Sequence, residues 1–275
     1  ENRTAAIAAI GMGSGVGILI ALPYTHLAMS ALGWQSSLLL LAATSALLLL
    51  LAWPVSGRPQ AIGAEAPPQR LGDALREAAR TPSFWLLNAG FFVCGFHVVF
   101  YGTHLPAYVA DQGLPPSVAV IALTVVGLGN LVGTWLAGQW GRRLPKRYGL
   151  MLIYLGRAVV FLGFLFLPVT ATTVIVLSGL LGLLWLSTVP LTSGLVATFF
   201  GPRWMTMLYG IVFLSHQVGS FLGAWLGGYV FDVMKSYDAM WWISVALGVM
   251  SALVHWPIRE AMVARPENDA VAATA

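Results

Sequence analysis

Charge is what this sequence has least of. Only 9% of its 275 residues are Asp, Glu, Lys or Arg and 58% are hydrophobic, where a soluble domain carries about 25% charged residues. The mean hydropathy is +0.81. A soluble core of this size could not absorb so much apolar surface, whereas a bilayer can, because lipid is itself the solvent. Cysteine is almost missing: Cys94 stands alone, so an intrachain disulfide is excluded. No acidic residue falls inside a long apolar run, and neither His-Glu-x-x-His nor Gly-x-Ser-Gly occurs; Ser14 follows Met12-Gly13 and Ser193 follows Leu191-Thr192. That leaves no ligand cluster for a metal and no motif for an intramembrane serine hydrolase, so an enzyme, a metal site and a cofactor are not expected. The first segment begins at Glu1 and has neither the basic start nor the small-residue cleavage site of a signal peptide. The net charge of +4 is no sign of nucleic-acid binding, because the cations sit at the ends of apolar runs.

What is present is a succession of such runs. A helix needs about 20 apolar residues to cross the hydrocarbon core. Eight stretches qualify, over 5–30, 36–53, 84–107, 117–138, 148–168, 172–198, 205–230 and 239–257. Turn signals divide them: Gly33-Trp34, Pro54, Pro115-Pro116, Pro145, Pro168, Gly201-Pro202 and Ser236. The longest polar stretch, 56–82, reads as a linker whose second part, LGDALREAAR, is an amphipathic surface helix. The cations sort by side. Arg3, Arg58, Arg70, Arg76, Arg80, Arg142, Arg143, Lys146, Arg147, Arg203, Arg259 and Arg265 fall on one side of the eight-span topology. Lys235 alone falls on the other, and Arg157 lies within a span. The positive-inside rule makes the crowded side cytoplasmic, with both termini and the linker there.

The first and last pairs of spans resemble one another. One begins NRTAAI and closes at AWPV; the other begins PRWMTM and closes at HWPI, and Arg3 to Trp53 spans 50 residues against 53 from Arg203 to Trp256. Each has a Gly-rich first helix and a Trp at the head of the second, Trp34 in one and Trp241-Trp242 in the other. Read as equivalent parts of a parallel duplication, they leave four spans between them, so the repeat has six, and four more are expected before Glu1.

The stretch GQWGRRLPKRYG resembles the cytoplasmic signature of the major facilitator superfamily, Gly-x-x-x-Asp-Arg-x-Gly-Arg-Arg, in its C-terminal-half copy: Gly138, Arg143, Lys146 and Arg147 match in kind. Arg142 stands where that signature has Asp, whose usual work is to cap a helix N-terminus and help latch the two halves. A cation at a helix N-terminus is mildly unfavourable. FFVCGFHVVFYGTHLPAYVADQGL, LLWLSTVPLTSGLVATFFG and GIVFLSHQVGSFLGAWLGGYVFD resemble the monocarboxylate-porter-like branch. The resemblance implies an all-α polytopic membrane protein, a partial major facilitator fold of eight transmembrane helices corresponding to spans five to twelve of twelve. It divides the chain into 1–55, the last two helices of the first half; 56–82, the cytoplasmic linker; 83–258, the second six-helix half; and 259–275, a cytoplasmic tail. It implies transport of a small organic anion across the inner membrane by alternating access, often in symport with protons. A neutral solute or drug as cargo, or a fragment that transports nothing, are the alternatives that stay open.

Ionisable groups within spans are functional candidates by default, because a charge at a helix centre costs about 2.5–3.5 kcal/mol. His97, Tyr101 and His104 share one face of the third span. His216 and Gln217 lie midway along the seventh, with Ser215 and Ser220 near. Imidazole titrates near neutral pH, which suits a proton or anion site; interhelical hydrogen bonding is the plainer role. Arg157 suits a carboxylate through a bidentate contact, or bonds carbonyls of neighbouring helices. Asn130, Trp185, Ser187, Thr188 and Ser193 are weaker candidates, and Pro190 should bend its helix and free a carbonyl. His26 and His255 read as interfacial. Solute contact is therefore assigned to His97, Tyr101, His216, Gln217, Arg157 and Asn130, and a cytoplasmic gate to Gly138, Arg142, Arg143, Lys146 and Arg147. The ladders Gly11/Gly15, Gly13/Gly17, Gly129/Gly133 and Gly219/Gly223/Gly227 should let helices approach closely.

Overall fold

A computed structural model describes residues 2–55 and 69–263. Its elements are all helical: α1 (Asn2–Val55), α2 (Leu71–Arg80), α3 (Pro82–Asp111), α4 (Pro116–Arg143), α5 (Lys146–Phe166), α6 (Ala171–Leu183), α7 (Thr188–Phe200), α8 (Met205–Met234) and α9 (Asp238–His255). Arg58, Arg265, most of the linker and the end of the tail lie outside the described residues.

Two of these elements depart from simple rods. Within α1, Gly33 takes φ 76 and ψ 170, a conformation open to glycine but strained for other residues. Tyr24 Oη and Thr44 Oγ1 are 3.0 Å apart although 20 residues separate them, a distance of roughly 30 Å along a straight helix. The segment therefore doubles back at Gly33, and its two limbs are the two spans anticipated over 5–30 and 36–53. Conversely, α6 and α7 together form one span, Ala171–Phe200, interrupted at residues 184–187. The interruption falls one turn ahead of Pro190. Without an N–H, Pro190 cannot bond Leu186, and Leu186 O instead accepts from Val189 N at 3.0 Å. Counting the limbs of α1 separately and α6–α7 as one, eight helical spans are present among the described residues, and α2 is the short amphipathic helix read in LGDALREAAR.

The helices from α3 to α9 form a bundle around two apolar clusters. One holds Phe100, Tyr101, Phe161, Phe164, Trp185 and Trp241 toward the Lys235 end. The other holds Phe84, Phe91, Cys94, Tyr154, Leu191 and Ile258 toward the end that carries Arg142–Arg147. Leu184, at the interruption, touches both, so the interruption sits where the two clusters meet, in mid-bundle. The first limb of α1 lies along α4: Gly15 and Gly127 face each other, and a Cβ on Gly15 would stand 2.9 Å from Leu131 N and 3.0 Å from Gly127 O. Gly13 and Gly17, by contrast, face open space.

After α9 the chain crosses the Arg142–Arg147 end as a strap. Arg259 N donates to Ser83 Oγ at 3.1 Å, Val263 N to Phe199 O at 3.0 Å, and Ile258 is wholly buried. At the opposite end Tyr237 opens α9; its burial, with the Asp111 and Asp232 charges nearby, holds the phenol above its usual range. Asp111 and Asp232 lie beyond the apolar runs read from sequence, because α3 and α8 extend to Asp111 and Met234.

Candidate functional site

An interrupted helix inside a membrane bundle leaves backbone groups without helical partners, and each one left unpaired costs about 1–3 kcal/mol. Here side chains on two other helices take them up. From α4, Asn130 Oδ1 accepts from Leu186 N at 3.0 Å, while its Nδ2 reaches Ser14 Oγ of α1 at 3.5 Å. Thr134, one turn on, also donates to Asn130 Oδ1, at 3.2 Å. From α5, Arg157 donates through Nε and Nη2 to Leu184 O at 3.1 and 2.7 Å, and Nη2 also donates to Trp185 O. The α4 backbone reaches this point because Gly129 and Gly133 have no side chain: a Cβ on either would strike α6 at Gly179 O or Leu183 O.

Arg157 is 1% exposed. Its guanidinium stands at the C-terminal end of α6, where the helix dipole favours a cation. It lies over the Tyr154 ring at 5.3 Å, and Nη2 is 3.5 Å from Cys94 Sγ. The same sulfur is 3.2 Å from Thr188 Oγ1 on α7 and faces the His216 ring on α8. Four helices thus meet around Cys94. His216 is packed between Phe91 and Phe213, with ring centroids at 5.0 and 5.1 Å. Its Nδ1 is 3.1 Å from Gln217 Oε1 and 3.4 Å from Ser220 Oγ. Gln217 itself is exposed on the flank of the bundle.

The remaining candidates are placed elsewhere. His97 Nε2 bonds Ser244 O of α9 at 2.9 Å, and its ring lies edge-on to Phe161. Tyr101 Oη bonds Ser178 Oγ of α6 at 2.6 Å. His104 bonds Ala224 O of α8 at 2.9 Å. These three share a helix but reach three different neighbours, so the structure does not gather them into one group. Ser193 bonds back to Val189 O within its own helix at 2.8 Å. His26 is exposed, beside an apolar pocket of about 290 Å³ that Leu22, Met29, Pro106, Ala119 and Leu123 line between α1, α3 and α4. His255 is not interfacial: it is fully buried, stacked on Tyr154 and bonded to Ser251 O at 2.7 Å.

The GQWGRRLPKRYG hairpin corrects another expectation. Arg142 and Arg143 occupy the last turn of α4, not a helix N-terminus, and there a cation is favourable. Gly138 is buried, while Arg142 and Arg143 are exposed. Lys146 Nζ pairs with Glu260 Oε2 of the strap at 3.8 Å. Arg147 N donates to Glu260 Oε1 at 2.8 Å and Arg147 Nη1 to Ile258 O at 2.8 Å. A carboxylate does cap a helix start in this hairpin, but it is Glu260 and it comes from the strap.

Sequence reading missed Cys94, Tyr154 and Glu260. Two of them carried a readable signal: Cys94 precedes His97, and Tyr154 precedes Arg157, by three residues, which puts each on the face of a residue already singled out. Glu260 lies 113 residues from the backbone it caps, and no local pattern announces it.

A family model described as Major Facilitator Superfamily matches residues 1–224. Monocarboxylate transporter 13 of Rattus norvegicus is 27% identical over 182 residues, 64% of this chain and 41% of that protein. Its Bos taurus namesake is 24% identical over 281 residues, 98% of this chain and 64% of that protein. The uncharacterized MFS-type transporter YcxA of Bacillus subtilis is 24% identical over 270 residues, 92% of this chain and 64% of that protein. The chain therefore spans between 41% and 64% of the length of these relatives.

Proposed function

The chain belongs to the major facilitator superfamily, and from that premise we propose that this multi-pass membrane protein is a secondary active transporter of a small organic anion, a monocarboxylate or close relative, working by alternating access in symport with protons. The observation that carries the reading is the interrupted α6–α7 span, whose freed groups meet Asn130 on one side and Arg157 on the other. Discontinuous helices in mid-membrane are where transporter folds place their solute sites. A buried guanidinium with two carbonyls and a thiol for partners, and no carboxylate bonded to it among the described residues, gives the region a positive field suited to an anion. Similarity to two transporters named for monocarboxylates supports the same substrate class.

Solute contact is assigned to Asn130, His216 and Gln217, with Arg157 behind the interruption and His97 and Tyr101 on the adjoining α3. Residues 1–55 and 83–258 belong to the two halves, and 56–82 and 259–275 to the cytoplasmic side, in an inner membrane. The crowding of cations at one end of the bundle supports that orientation. The hairpin residues Gly138, Arg142, Arg143, Lys146 and Arg147 form part of the cytoplasmic gate. A neutral solute or drug is the second reading, and the apolar pocket beside His26 favours it.

Uptake of labelled lactate and pyruvate into proteoliposomes, with the lumen alkaline relative to the bath, tests the proposal. Wild-type protein should accumulate the acids, and collapse of the pH gradient should stop it. His216→Ala and His97→Ala should each reduce uptake roughly tenfold or more, the loss of about 1.4 kcal/mol, with unchanged expression. Undiminished uptake in both variants removes the histidines from the site.

A further inference from the structure

Between α4 and α5, beside the GQWGRRLPKRYG hairpin that joins them, lies a crevice of about 300 Å³. It opens because the two helices rest chiefly on different neighbours, α4 on α1 and α6, and α5 on α9. Gly133, Leu136 and Trp140 form one wall, Gly149 and Leu152 the other, and Leu184 of the interruption the floor. Gly149 makes room for the indole: a Cβ there would stand 2.9 Å from the Trp140 ring. The mouth opens to the outside of the bundle, where Leu136 and Leu152 are half-exposed.

The inside of the crevice suits hydrocarbon. Its polar side chains, Trp140 and Ser187, are both committed to backbone: Trp140 Nε1 donates to Pro145 O at 3.0 Å and Ser187 Oγ to Leu183 O at 2.6 Å. A polar molecule placed here would lose its water and find no side-chain partner, at a cost of about 1–3 kcal/mol per group. The rim is the opposite. Gly133, Leu136, Trp140 and Arg143 recur at helical spacing, so Arg143 stands on the same stripe of α4 as the crevice wall. Gly133 to Arg143 is ten residues, roughly 15 Å along the helix and half of a hydrocarbon core of about 30 Å. With the interruption at mid-membrane, Arg143 lies at the depth of the headgroups. Its neighbours are engaged elsewhere: Lys146 pairs with Glu260, Arg147 Nη1 donates to Ile258 O, and Arg142 Nη1 to Gln139 Oε1 at 3.4 Å. Arg143 is exposed, and no carboxylate of the described residues pairs with it.

We propose that this crevice binds an anionic phospholipid from the leaflet on the hairpin side. One acyl chain lies between α4 and α5 with its end toward Leu184, and the Arg143 guanidinium holds the phosphate of the headgroup. A guanidinium matches phosphate geometry, and basic pockets between spans hold anionic headgroups. The positive-inside rule accounts for the number of cations at this end. It does not account for an apolar slot of acyl-chain length that leads inward from one of them. The bound chain abuts Leu184, whose carbonyl Arg157 holds, so the lipid supports the interrupted span from the bilayer side. The site stands whatever solute the protein carries.

Trp140 reports on the crevice. The full chain is reconstituted in vesicles of phosphatidylcholine and phosphatidylglycerol, with bromine on the acyl chains of one lipid or the other. Subtracting the fluorescence of Trp140→Phe in the same background isolates the Trp140 signal. At equal mole fraction, brominated phosphatidylglycerol should quench Trp140 with a preference of roughly fivefold or more over brominated phosphatidylcholine, about 1 kcal/mol for one arginine. Arg143→Gln should abolish the preference, and Arg142→Gln, one residue off the stripe, should leave most of it. Equal quenching by the two lipids overturns the site, because the slot is then unselective. Equal loss in the two glutamine variants overturns it as well, because the preference then comes from diffuse surface charge. If Trp140→Phe does not fold, the selective quenching of the whole protein that Arg143→Gln removes and Arg142→Gln keeps gives the same answer.

Discussion

Gly219, Gly223 and Gly227 bring α8 onto α3, and Gly15 with Gly127 brings α1 onto α4. The two contacts share one device, a glycine-lined approach of backbones, yet their surroundings differ. The α3–α8 contact is flanked by the aromatic cores, with Phe91, Phe96 and Phe100 buried along α3. The α1–α4 contact is less enclosed: Ile10, Ile20 and Leu27 on the first limb of α1 are more than 60% exposed. Among the described residues its side-chain hydrogen bond is Ser14 to Asn130. In a bilayer the hydrophobic effect does not hold helices together, so packing and hydrogen bonds must. The α3–α8 seam is therefore built to stay shut. The α1–α4 seam holds along one line and leaves its flanks free, which suits the joint between halves proposed above.

Substitutions can break this contrast. The largest effect belongs to Gly219→Leu, whose side chain would run into Phe92 O on α3. No folded protein should be recovered by size-exclusion chromatography, and a monodisperse, stable variant would remove the claim that this seam is fixed. Gly15→Leu drives into the α4 backbone at Leu131, but α3–α9 do not depend on it. Uptake should fall roughly tenfold or more, about 1.4 kcal/mol, while the melting temperature of the bundle changes little. A large fall in melting temperature would mean that both seams serve stability alike. The smallest effect belongs to Glu260→Gln, which weakens the cap on α5 at Arg147 N and the pair with Lys146. Surface charges at helix ends are worth about 0.3–1 kcal/mol. Melting should shift by a degree or two at most, and Arg142→Asp, which puts an acid where the superfamily signature has one, should leave that shift unrepaired, because Arg142 ends α4 rather than starting α5.

Much of the fold was legible because membrane spans advertise themselves. Apolar length and Gly/Pro punctuation located the spans and the Gly33 reversal, and the amphipathic pattern of LGDALREAAR located α2. The site was legible only in part. Residue type marked Arg157, His216 and Asn130 as unusual in lipid, since an ionisable or amide group there needs a reason. What those groups bond is a matter of tertiary register. Nothing in the local sequence says that Arg157 reaches across to Leu184, 27 residues on, or that Asn130 caps Leu186, 56 residues on. Pro190 signalled a bend, but the interruption spread upstream because the α4 glycines and the guanidinium stabilise the open turn there. Cys94 was passed over because a lone thiol in an apolar run reads as a small hydrophobe.

The most direct test of the account is pyruvate uptake by Asn130→Asp in proteoliposomes, alongside its melting temperature. The substitution keeps Oδ1 as the acceptor for Leu186 N, so the interruption stays braced, and it adds a carboxylate where an organic anion is assigned to bind. If the solute is an anion read at this point, uptake by the protein that still folds should fall at least roughly tenfold, about 1.4 kcal/mol, while a carboxylate at this wholly buried position also lowers the melting temperature. Wild-type pyruvate uptake in the Asp variant would contradict the account, because a carboxylate at an anion site cannot be neutral to its solute.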